Sequence, residues 1–204
     1  MSRYTGPRIR ILRRLGEVLP GLTWKQPKNR QNRPGQHGAL PRRKVSEYKI
    51  RLDEKQKVRF NYGVSEKQLR RYFRLAKKSP GNTGLRLLQL LESRLDNVLY
   101  RVGVAPTIRA ARQLVNHGHV LVDGRRCNIS SRVLTSGEVV TLKPAAQKMA
   151  LVQNSLAEPG RQVPPFLSFD AEKIELQFVQ DPAREDVQLD VKENYIVEWY
   201  SRIA

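Results

Sequence analysis

The spacing of hydrophobic positions in the first half of the chain predicts helices. Ser65 is followed three residues later by Gln68, a capping-box pattern, so we expect a helix to begin there. Residues 46–62 are also predicted to be helical, although their apolar spacing is irregular. At helical spacing, the helix after Ser65 has one apolar face and an opposite stripe of cations that contains no acid. The apolar face comprises Leu69, Tyr72, Phe73 and Ala76, and the stripe comprises Lys67, Arg71, Arg74 and Lys78.

From Leu85 onward the apolar residues recur every three or four positions, which is typical of a buried helical face. Gly103 is a natural C-terminal stop for this helix, and Pro106 prevents its continuation. The hydroxyl of Thr107 can cap a second helix, which Gly118 ends. The first helix would bury Leu88, Leu91, Leu95, Val98 and Val102, and the second would bury Ile108, Ala111, Leu114 and Val115.

The rest of the chain alternates apolar and polar residues over short runs, which predicts half-buried strands. Residues 119–122 and 138–142 are two such runs, and Asp123-Gly124 predicts a tight hairpin turn after the first. Two more alternating runs, at 174–178 and 187–191, precede an apolar, aromatic closing segment at residues 195–200. Helices come first, then a small unit of two helices and a hairpin, then more strands. The predicted fold class is therefore α+β.

The charge of the chain is large and unevenly distributed. Among 204 residues, 38 Lys and Arg stand against 19 Asp and Glu, a formal net charge of +19. Residues 1–80 carry +18, residues 81–148 carry +6 and residues 149–204 carry −5. Such an excess of cations indicates a polyanionic partner, most often nucleic acid. Because acids facing phosphate oppose binding, we expect the C-terminal part to face a basic neighbour or to keep the free protein soluble.

Three segments are predicted to lack a packed core of their own. Residues 20–44 combine Pro and Gly with seven cations and no acid, so they form either a disordered basic linker or an extended arm that orders against phosphates. Residues 157–165 have the composition of a connecting loop. The Arg-rich residues 1–16 are compatible with a transit peptide, but their arginines interrupt the apolar residues that a secretory signal needs. Because the basic character continues further, we interpret them as part of the mature protein.

Residues that carry catalysis or bind metals are sparse. The single cysteine, Cys127, excludes an internal disulfide and, with three scattered histidines, predicts no metal site and no cofactor. One cysteine is also typical of a reducing, intracellular setting. The triplet Arg94-Leu95-Asp96 resembles the surroundings of the catalytic aspartate of pseudouridine synthases. Since it lies within a helical pattern, we expect Asp96 to cap or pair locally, Arg94 to face solvent or RNA, and the chain to have no catalytic residue. Apolar residues make up 39% of the chain, and no run approaches the roughly 18 of a membrane-spanning helix.

Several motifs resemble those of a known RNA-binding family. Residues 92–103 are similar to the opening helix of the S-four RNA-binding module, residues 110–120 to its second helix and first strand, and residues 122–125 to its turn. Further motifs resemble the N-terminal domain and the ending of the small-subunit ribosomal protein S-four family, in the family's order, at residues 33–38, 54–57, 62–64, 81–84 and 195–201. The resemblance covers essentially the whole chain.

Some positions depart from the family pattern. Certain relatives hold the N-terminal region with a four-cysteine zinc cluster, and this chain has none of those cysteines. We therefore expect its folding to be independent of zinc, with Tyr and Phe side chains holding the N-terminal helices. Asp123 stands where relatives often have Asn, which preserves the hairpin chemistry. Together with the missing cysteines, residues 19–23 resemble the cyanobacterial and plastid branch.

The resemblance implies a structural constituent of the small ribosomal subunit, a primary rRNA-binding protein that nucleates assembly of the subunit body and contributes to translational accuracy. The implied partners are small-subunit rRNA and the ribosomal proteins S-five, above all, and S-twelve, with no membrane and no small-molecule substrate. The implied location is the ribosome, in the cytoplasm or the plastid stroma. Two rival functions are an rRNA-modifying enzyme and an RNA-binding regulator that acts off the ribosome.

The predicted domains are a basic arm with a helical rRNA-binding domain (1–91), the S-four module (92–148), and a loop followed by a β-rich acidic segment (149–204). We expect basic side chains to position the phosphates, while shape and a few polar contacts select the RNA junction. The candidate RNA-binding residues are Arg8, Arg10, Arg13, Arg14, Arg42, Arg43 and Lys44 in the arm, Lys67, Arg71, Arg74 and Lys78 in the helix, and Arg94, Arg109, Arg112, His117 and Arg125 in the module. The candidate protein-interface residues are Glu193 and Glu198.

Overall fold

A computed structural model describes residues 4–23, 25, 27, 32–40, 44–157 and 162–202. Its helices are α1 (Arg8–Leu15), α2 (Glu47–Asn61), α3 (Glu66–Lys78), α4 (Thr83–Glu92), α5 (Leu95–Arg101), α6 (Ile108–Asn116), α7 (Pro144–Gln147), α8 (Ala150–Ala157) and α9 (Glu193–Ser201). Its strands are β1 (Val120–Val122), β2 (Arg125–Cys127), β3 (Val139–Leu142), β4 (Leu167–Asp170) and β5 (Glu175–Phe178). This mixture of helices and strands confirms the α+β class. The chain divides into two units, residues 1–84 with 189–204 and residues 85–188, while the three-part division predicted from the sequence stays a prediction.

Serine caps start two helices of the first unit. Ser46 Oγ accepts the backbone N–H of Lys49 at 3.3 Å at the start of α2. At the start of α3, Ser65 Oγ accepts the N–H of Gln68 at 3.3 Å, and the Gln68 side chain accepts the N–H of Ser65 at 3.4 Å. The predicted capping box is thus confirmed, and it satisfies donors that a helix start leaves unpaired.

The irregular apolar spacing of α2 has a physical reason, because this helix buries charged residues together with their partners. Lys57 Nζ lies 2.6 Å from Glu17 Oε1 and 2.6 Å from Glu54 Oε1. Burial lowers the pKa of Lys57, but the two carboxylates more than offset this effect and the pKa is raised overall. Glu54 also accepts the backbone N–H of Lys192 at 3.0 Å. The start of α9 is thereby fastened to α2.

The closing aromatic segment, which the sequence left without an assigned structure, is helix α9, and it packs on α2. The ring of Tyr200 lies 4.9 Å from that of Phe73, and its hydroxyl donates to Glu66 Oε1 at 2.9 Å. Burial and the adjacent Glu66 carboxylate raise the pKa of Tyr200. The ring of Trp199 lies 4.9 Å from that of Tyr48. Aromatic packing therefore joins the last helix to the N-terminal ones.

The second unit contains an antiparallel sheet of five strands in the order β2-β1-β3-β5-β4, as far as the described residues extend. Asp123 and Gly124 connect β1 to β2 with φ angles of 49° and 75°. Positive φ at both central residues matches the right-handed twist of the strands, which confirms the predicted tight hairpin turn. Strand β3 pairs with β5 in the register Val140↔Leu176, so the hairpin and the later strands share one sheet.

The single helix predicted between Leu85 and Gly103 is wrong, because the chain breaks between α4 and α5. Arg94 is extended at the break, with ψ of 136°, and forms an antiparallel bridge with Val133. The N–H of Leu95 donates to the carbonyl of Arg132 at 2.8 Å instead of continuing a helical ladder. Hydrogen bonds to a distant loop replace intrahelical hydrogen bonds at this break. The spacing of apolar residues does not predict them.

The strand predicted at residues 187–191 is also wrong, although its burial pattern is correct. Val187, Leu189 and Val191 are buried, while Gln188 and Asp190 are exposed. The segment nevertheless belongs to none of the β-ladders that the described residues form. Alternating apolar and polar residues indicate an extended chain that is buried on one side. They do not show that a neighbouring strand pairs with it. The C-terminal segment is consequently less β-rich than predicted, since it also contains α8 and α9.

Candidate nucleic-acid interface

Helix α3 separates an apolar face from a basic one. Leu69, Tyr72, Phe73 and Ala76 are buried, whereas Lys67, Arg71, Arg74 and Lys78 are all exposed. None of these four cations forms an ion pair with the residues that the structure describes. Helix α3 therefore presents positive charge that nothing in the described part of its own fold neutralises.

Two further cations on α3 were missed by the sequence analysis. Arg70 and Lys77 are exposed and flank the predicted stripe. Arg70 Nε lies 3.9 Å from Glu66 Oε1, the acid in the first turn of the helix. The signal was present, because both residues fall beside the stripe at helical spacing. We call the exposed Lys67, Arg70, Arg71, Arg74, Lys77 and Lys78 the α3 basic face.

The N-terminal arginines lie on α1, a helix that the sequence analysis did not predict. Arg10 and Arg14 are exposed, and Arg8 and Arg13 are half-buried. Arg13 Nε donates to the carbonyl of Asn32 at 2.7 Å, so this side chain fastens the following loop. The signal for the helix was the apolar set at helical spacing that α1 buries, Ile11, Leu12 and Leu15.

The described parts of the basic arm form turns. The N–H of Gly38 donates to the carbonyl of Gly35 at 3.1 Å, and the N–H of Leu40 donates to that of His37 at 3.2 Å. Lys44 is exposed just before α2. The candidate residues Arg42 and Arg43 lie outside the described residues. The alternative in which the arm orders against phosphates stays a prediction.

Four candidate residues of the second unit lie on α6, at its C-terminal end, and in the β1–β2 hairpin. Arg109 and Arg112 are half-buried on α6, while His117 and Arg125 are exposed. Thr107 caps the helix as predicted, its Oγ1 accepting the N–H of Ala110 at 3.2 Å. His117 is the C-terminal cap residue of α6, and Arg125 is the first residue of β2.

The exposed position predicted for Arg94 is wrong. This side chain is 2% exposed, and its Nε and Nη2 each donate to Asp96 at 3.0 Å. Asp96 is itself fully buried and also accepts from Arg112, with Nη2 at 2.6 Å and Nε at 2.9 Å from Oδ2. The local pairing expected of Asp96 is confirmed. Asp96 therefore holds one buried arginine and orients a second, Arg112, whose side chain stays 22% exposed.

A further cation near the module was not singled out from the sequence. Gly118 follows α6 with φ of 72°, and a Cβ built there would lie 2.6 Å from Arg126 Cζ. The guanidinium of Arg126 thus packs directly on the backbone of Gly118, between His117 and His119 in the chain. Only glycine permits both this backbone conformation and this close approach.

The two candidate protein-interface residues lie on α9. Glu198 Oε2 accepts a hydrogen bond from Arg51 Nε at 2.5 Å, and this bond, with a second one from Arg51 to Glu47, raises the pKa of Arg51. Glu193 is half-buried in the first turn of the helix. The Glu198 carboxylate is thus already engaged within its own unit.

The described ranges contain neither a metal-binding cluster nor a membrane-spanning helix. Within them, no set of three or more His, Cys, Asp or Glu side chains could hold a metal ion. No helix in the same ranges is long and apolar enough to cross a membrane. Cys127 is buried at the end of β2.

Two family models match consecutive parts of the chain. Residues 3–92 match the family described as "Ribosomal protein S4/S9 N-terminal domain", and residues 93–140 match "S4 domain". The second match covers α5, α6, the β1–β2 hairpin and the first half of β3. The fold and its basic surfaces therefore define a ribosomal-type protein with an S4 domain, as the sequence motifs indicated.

Relatives of known name extend this match over the full length. The chain is 53% identical over 203 residues to "Small ribosomal subunit protein uS4" of a Synechococcus species, covering 99% of each chain. It is 55% identical over 205 residues to the protein of that name from Nostoc punctiforme, covering 100% of each chain. It is 53% identical to the one from Thermosynechococcus vestitus, again covering 99% of each chain. The chain belongs to the uS4 family.

Proposed function

We propose that the protein is a structural constituent of the small ribosomal subunit that binds small-subunit rRNA directly. In this role it nucleates assembly of the subunit body and contributes to the accuracy of translation. The α3 basic face is the observation that carries the proposal, because it presents six exposed cations on one helix. The names of the relatives support the same function.

The arrangement of cations suits recognition of folded RNA. Lysine and arginine side chains on a rigid helix contact phosphates and fix the orientation of the protein on the RNA. Double-stranded RNA hides its base edges in a deep, narrow groove, so such a surface selects RNA by shape. Arg10 and Arg14 on α1, and Lys44 before α2, are further exposed cations of the first unit. His117, Arg125 and the half-buried Arg109 and Arg112 supply a second contact region in the S4 domain.

The protein acts as a binding protein and not as an enzyme. Asp96, whose surroundings resemble those of a pseudouridine synthase nucleophile, is fully buried, and both its oxygens accept hydrogen bonds from guanidinium groups. A carboxylate held in this way cannot reach a substrate. The rRNA-modifying alternative predicts turnover of a uridine-containing transcript, whereas our proposal predicts none.

The acidic C-terminal part supports a protein partner. Residues 149–204 carry a net charge of −5, which suits a basic neighbour better than phosphate. Ribosomal protein S-five is the proposed neighbour, with S-twelve as a second, and Glu193 and Glu198 on α9 are the proposed contact residues. The proposed location is the ribosome, in the cytoplasm or the plastid stroma.

Equilibrium binding at several salt concentrations tests the proposal. The full-length protein should bind a small-subunit rRNA transcript more tightly than an unrelated RNA of equal length. The slope of log K against log salt should be about −5 or steeper, since each neutralised phosphate contributes about −0.7 to −0.9. Cosedimentation with small subunits in high salt then separates a ribosomal constituent from a free regulator. A slope near zero, or loss from the subunits at moderate salt, would contradict the proposal.

A further inference from the structure

A shallow cavity of about 240 Å³ lies in the second unit, beside the C-terminal end of α6. Its lining includes Gln113, Leu114, His117, His119, Met149 and Leu151, which come from α6, the turn after it and the start of α8. We propose that this cavity receives one unpaired base of the small-subunit rRNA. This inference rests on the proposed function and names the part of the RNA that the S4 domain takes.

The walls of the cavity offer ring surfaces. The rings of His117 and His119 have their centroids 6.0 Å apart and their planes inclined at 58°. His117 is exposed at the rim, and His119 is half-buried. Proteins that read single-stranded RNA stack splayed-out bases on aromatic side chains, histidine included. A base that enters here would lie beside both rings, since both residues line the cavity.

The remaining lining provides an apolar floor and one polar group. Leu151 is 41% exposed although it is a large apolar side chain, and Met149, two residues earlier in the chain, is half-buried. An occupant with a flat apolar surface would cover both. The exposed Gln113 carries an amide, which both donates and accepts hydrogen bonds and so suits the polar edge of a base.

Charge beside the cavity argues for a nucleotide rather than an apolar peptide. The guanidinium of Arg126 packs on Gly118, the residue between the two cavity histidines. Lys148 is exposed immediately before Met149, a lining residue of the cavity. A base has to bring its phosphate to the rim, where these cations can meet it, whereas an apolar segment would gain nothing from them.

The size of the cavity limits the occupant to a single base. Pockets that bury a drug-sized molecule usually enclose about 300–1,000 Å³, more than the 240 Å³ available here. The backbone that shapes the cavity is held by hydrogen bonds. The N–H of His119 donates to the carbonyl of Leu114 at 3.2 Å, and the N–H of Lys143 donates to the carbonyl of His119 at 2.9 Å. The site is therefore formed before RNA arrives.

Substitutions of His117 test the proposal, because this residue is exposed and its replacement should not disturb folding. The full-length variants His117→Ala, His117→Phe and His117→Lys would be titrated with a small-subunit rRNA transcript at several salt concentrations. Loss of the ring in His117→Ala should weaken binding about 5- to 150-fold, the usual range for one stacked base. His117→Phe should restore most of the affinity, and His117→Lys should not. Asn116→Ala, an exposed change one residue earlier, is the matched control.

The outcomes separate this inference from the function on which it rests. Stacking leaves the slope of log K against log salt unchanged, whereas loss of a phosphate contact would flatten it by about 0.7 to 0.9. If His117→Lys restored binding and His117→Phe did not, His117 would be a phosphate contact and the base pocket would be refuted. If all three variants bound like the control, the pocket would also be refuted while rRNA binding stood. If the unsubstituted protein failed to prefer the transcript, the proposed function itself would fail.

Discussion

Arginines have opposite roles on α3 and around the break between α4 and α5. Arg71 and Arg74 on α3 are exposed and form no ion pair with the described residues. Arg94 and Arg101 are 2% and 5% exposed, and each is paired with a buried carboxylate. A charged side chain is buried only together with a partner, so Arg94 and Arg101 serve the fold. Arg71 and Arg74 remain available to RNA.

The difference teaches that net charge alone does not locate an RNA interface. Glu92 is fully buried and accepts from Arg101 through both oxygens, at 2.9 and 2.5 Å, and from Asn97 Nδ2 at 2.6 Å. Asp96 does the same for Arg94 and Arg112. Arg94 and Arg101 therefore belong to internal networks, whereas Arg112 is paired with Asp96 but keeps 22% of its side chain exposed. The six exposed cations of α3 have a single acid within their own helix, Glu66.

The largest expected effect is on stability, from Glu92→Gln. This change removes the charge that the buried Arg101 requires, and breaking a buried ion pair typically costs about 3–5 kcal/mol. Urea denaturation should therefore show a lower free energy of unfolding for the second unit. Glu47→Gln is the control, since the Glu47 side chain is 80% exposed and pairs only at the surface. Equal stability of the two variants would show that the buried network is not needed.

The next largest effect is on RNA affinity, from replacing Lys67, Arg71, Arg74 and Lys78 together by Gln. Loss of four phosphate contacts should flatten the slope of log K against log salt by about 3 and weaken binding roughly a thousandfold near 0.1 M salt, relative to 1 M. The free energy of unfolding should hardly change, because all four side chains are exposed. Lys173→Gln, an exposed change in the acidic part of the chain, shows the effect of removing one cation outside the α3 basic face. An unchanged slope would exclude the α3 basic face from the interface.

Sequence reasoning located the exposed cations better than the buried ones. The capping box and the helical spacing of α3 are local features, so they placed Lys67, Arg71, Arg74 and Lys78 on one exposed face. Arg94 was misplaced because its burial follows from the break in the helix and the bridge to Val133, where its guanidinium bonds to Asp96. The cavity beside His117 was equally out of reach. The cavity forms only because Met149 and Leu151 lie near α6. The spacing of residues in the sequence does not predict this contact between distant segments.

Two glycines distinguish backbone strain from loss of a cation. Gly118→Ala and Gly124→Ala each force a non-glycine residue to positive φ, at 72° and 75°, which costs roughly 1–2 kcal/mol. Only the Cβ at Gly118 would also displace Arg126, since nothing lies within 4 Å of that built at Gly124. Both variants should lose similar stability, and Gly118→Ala alone should lose several-fold in rRNA affinity. Equal affinities would show that rRNA binding does not depend on the position that the Arg126 guanidinium occupies against Gly118.

Alkaline pH should affect the first unit through two buried groups. The folded pKa values of Lys57 and Tyr200 are both raised above their usual values of 10.5 and 10.0. A raised pKa contributes stability that is complete below the unfolded value and is lost as pH rises above it. Hydrogen exchange should therefore show weaker protection of α2 and α9 as pH rises beyond about 10. In Tyr200→Phe the decline should be shallower, and an identical decline would exclude Tyr200 as its source.

The smallest effect is expected from Glu198→Lys on α9. Arg51 would then face a second cation where it now has a carboxylate 2.5 Å away, so the contact between α9 and α2 should weaken slightly. Affinity for the rRNA transcript should stay within about twofold at physiological salt, because one exposed cation far from a phosphate is largely screened. If α9 forms the proposed interface, Glu198→Lys should weaken binding to purified ribosomal protein S-five. Glu193→Lys should weaken this binding as well. A clear gain in rRNA affinity for both variants would mean that α9 faces phosphate, and would overturn the division between RNA-facing cations and a partner-facing acidic segment.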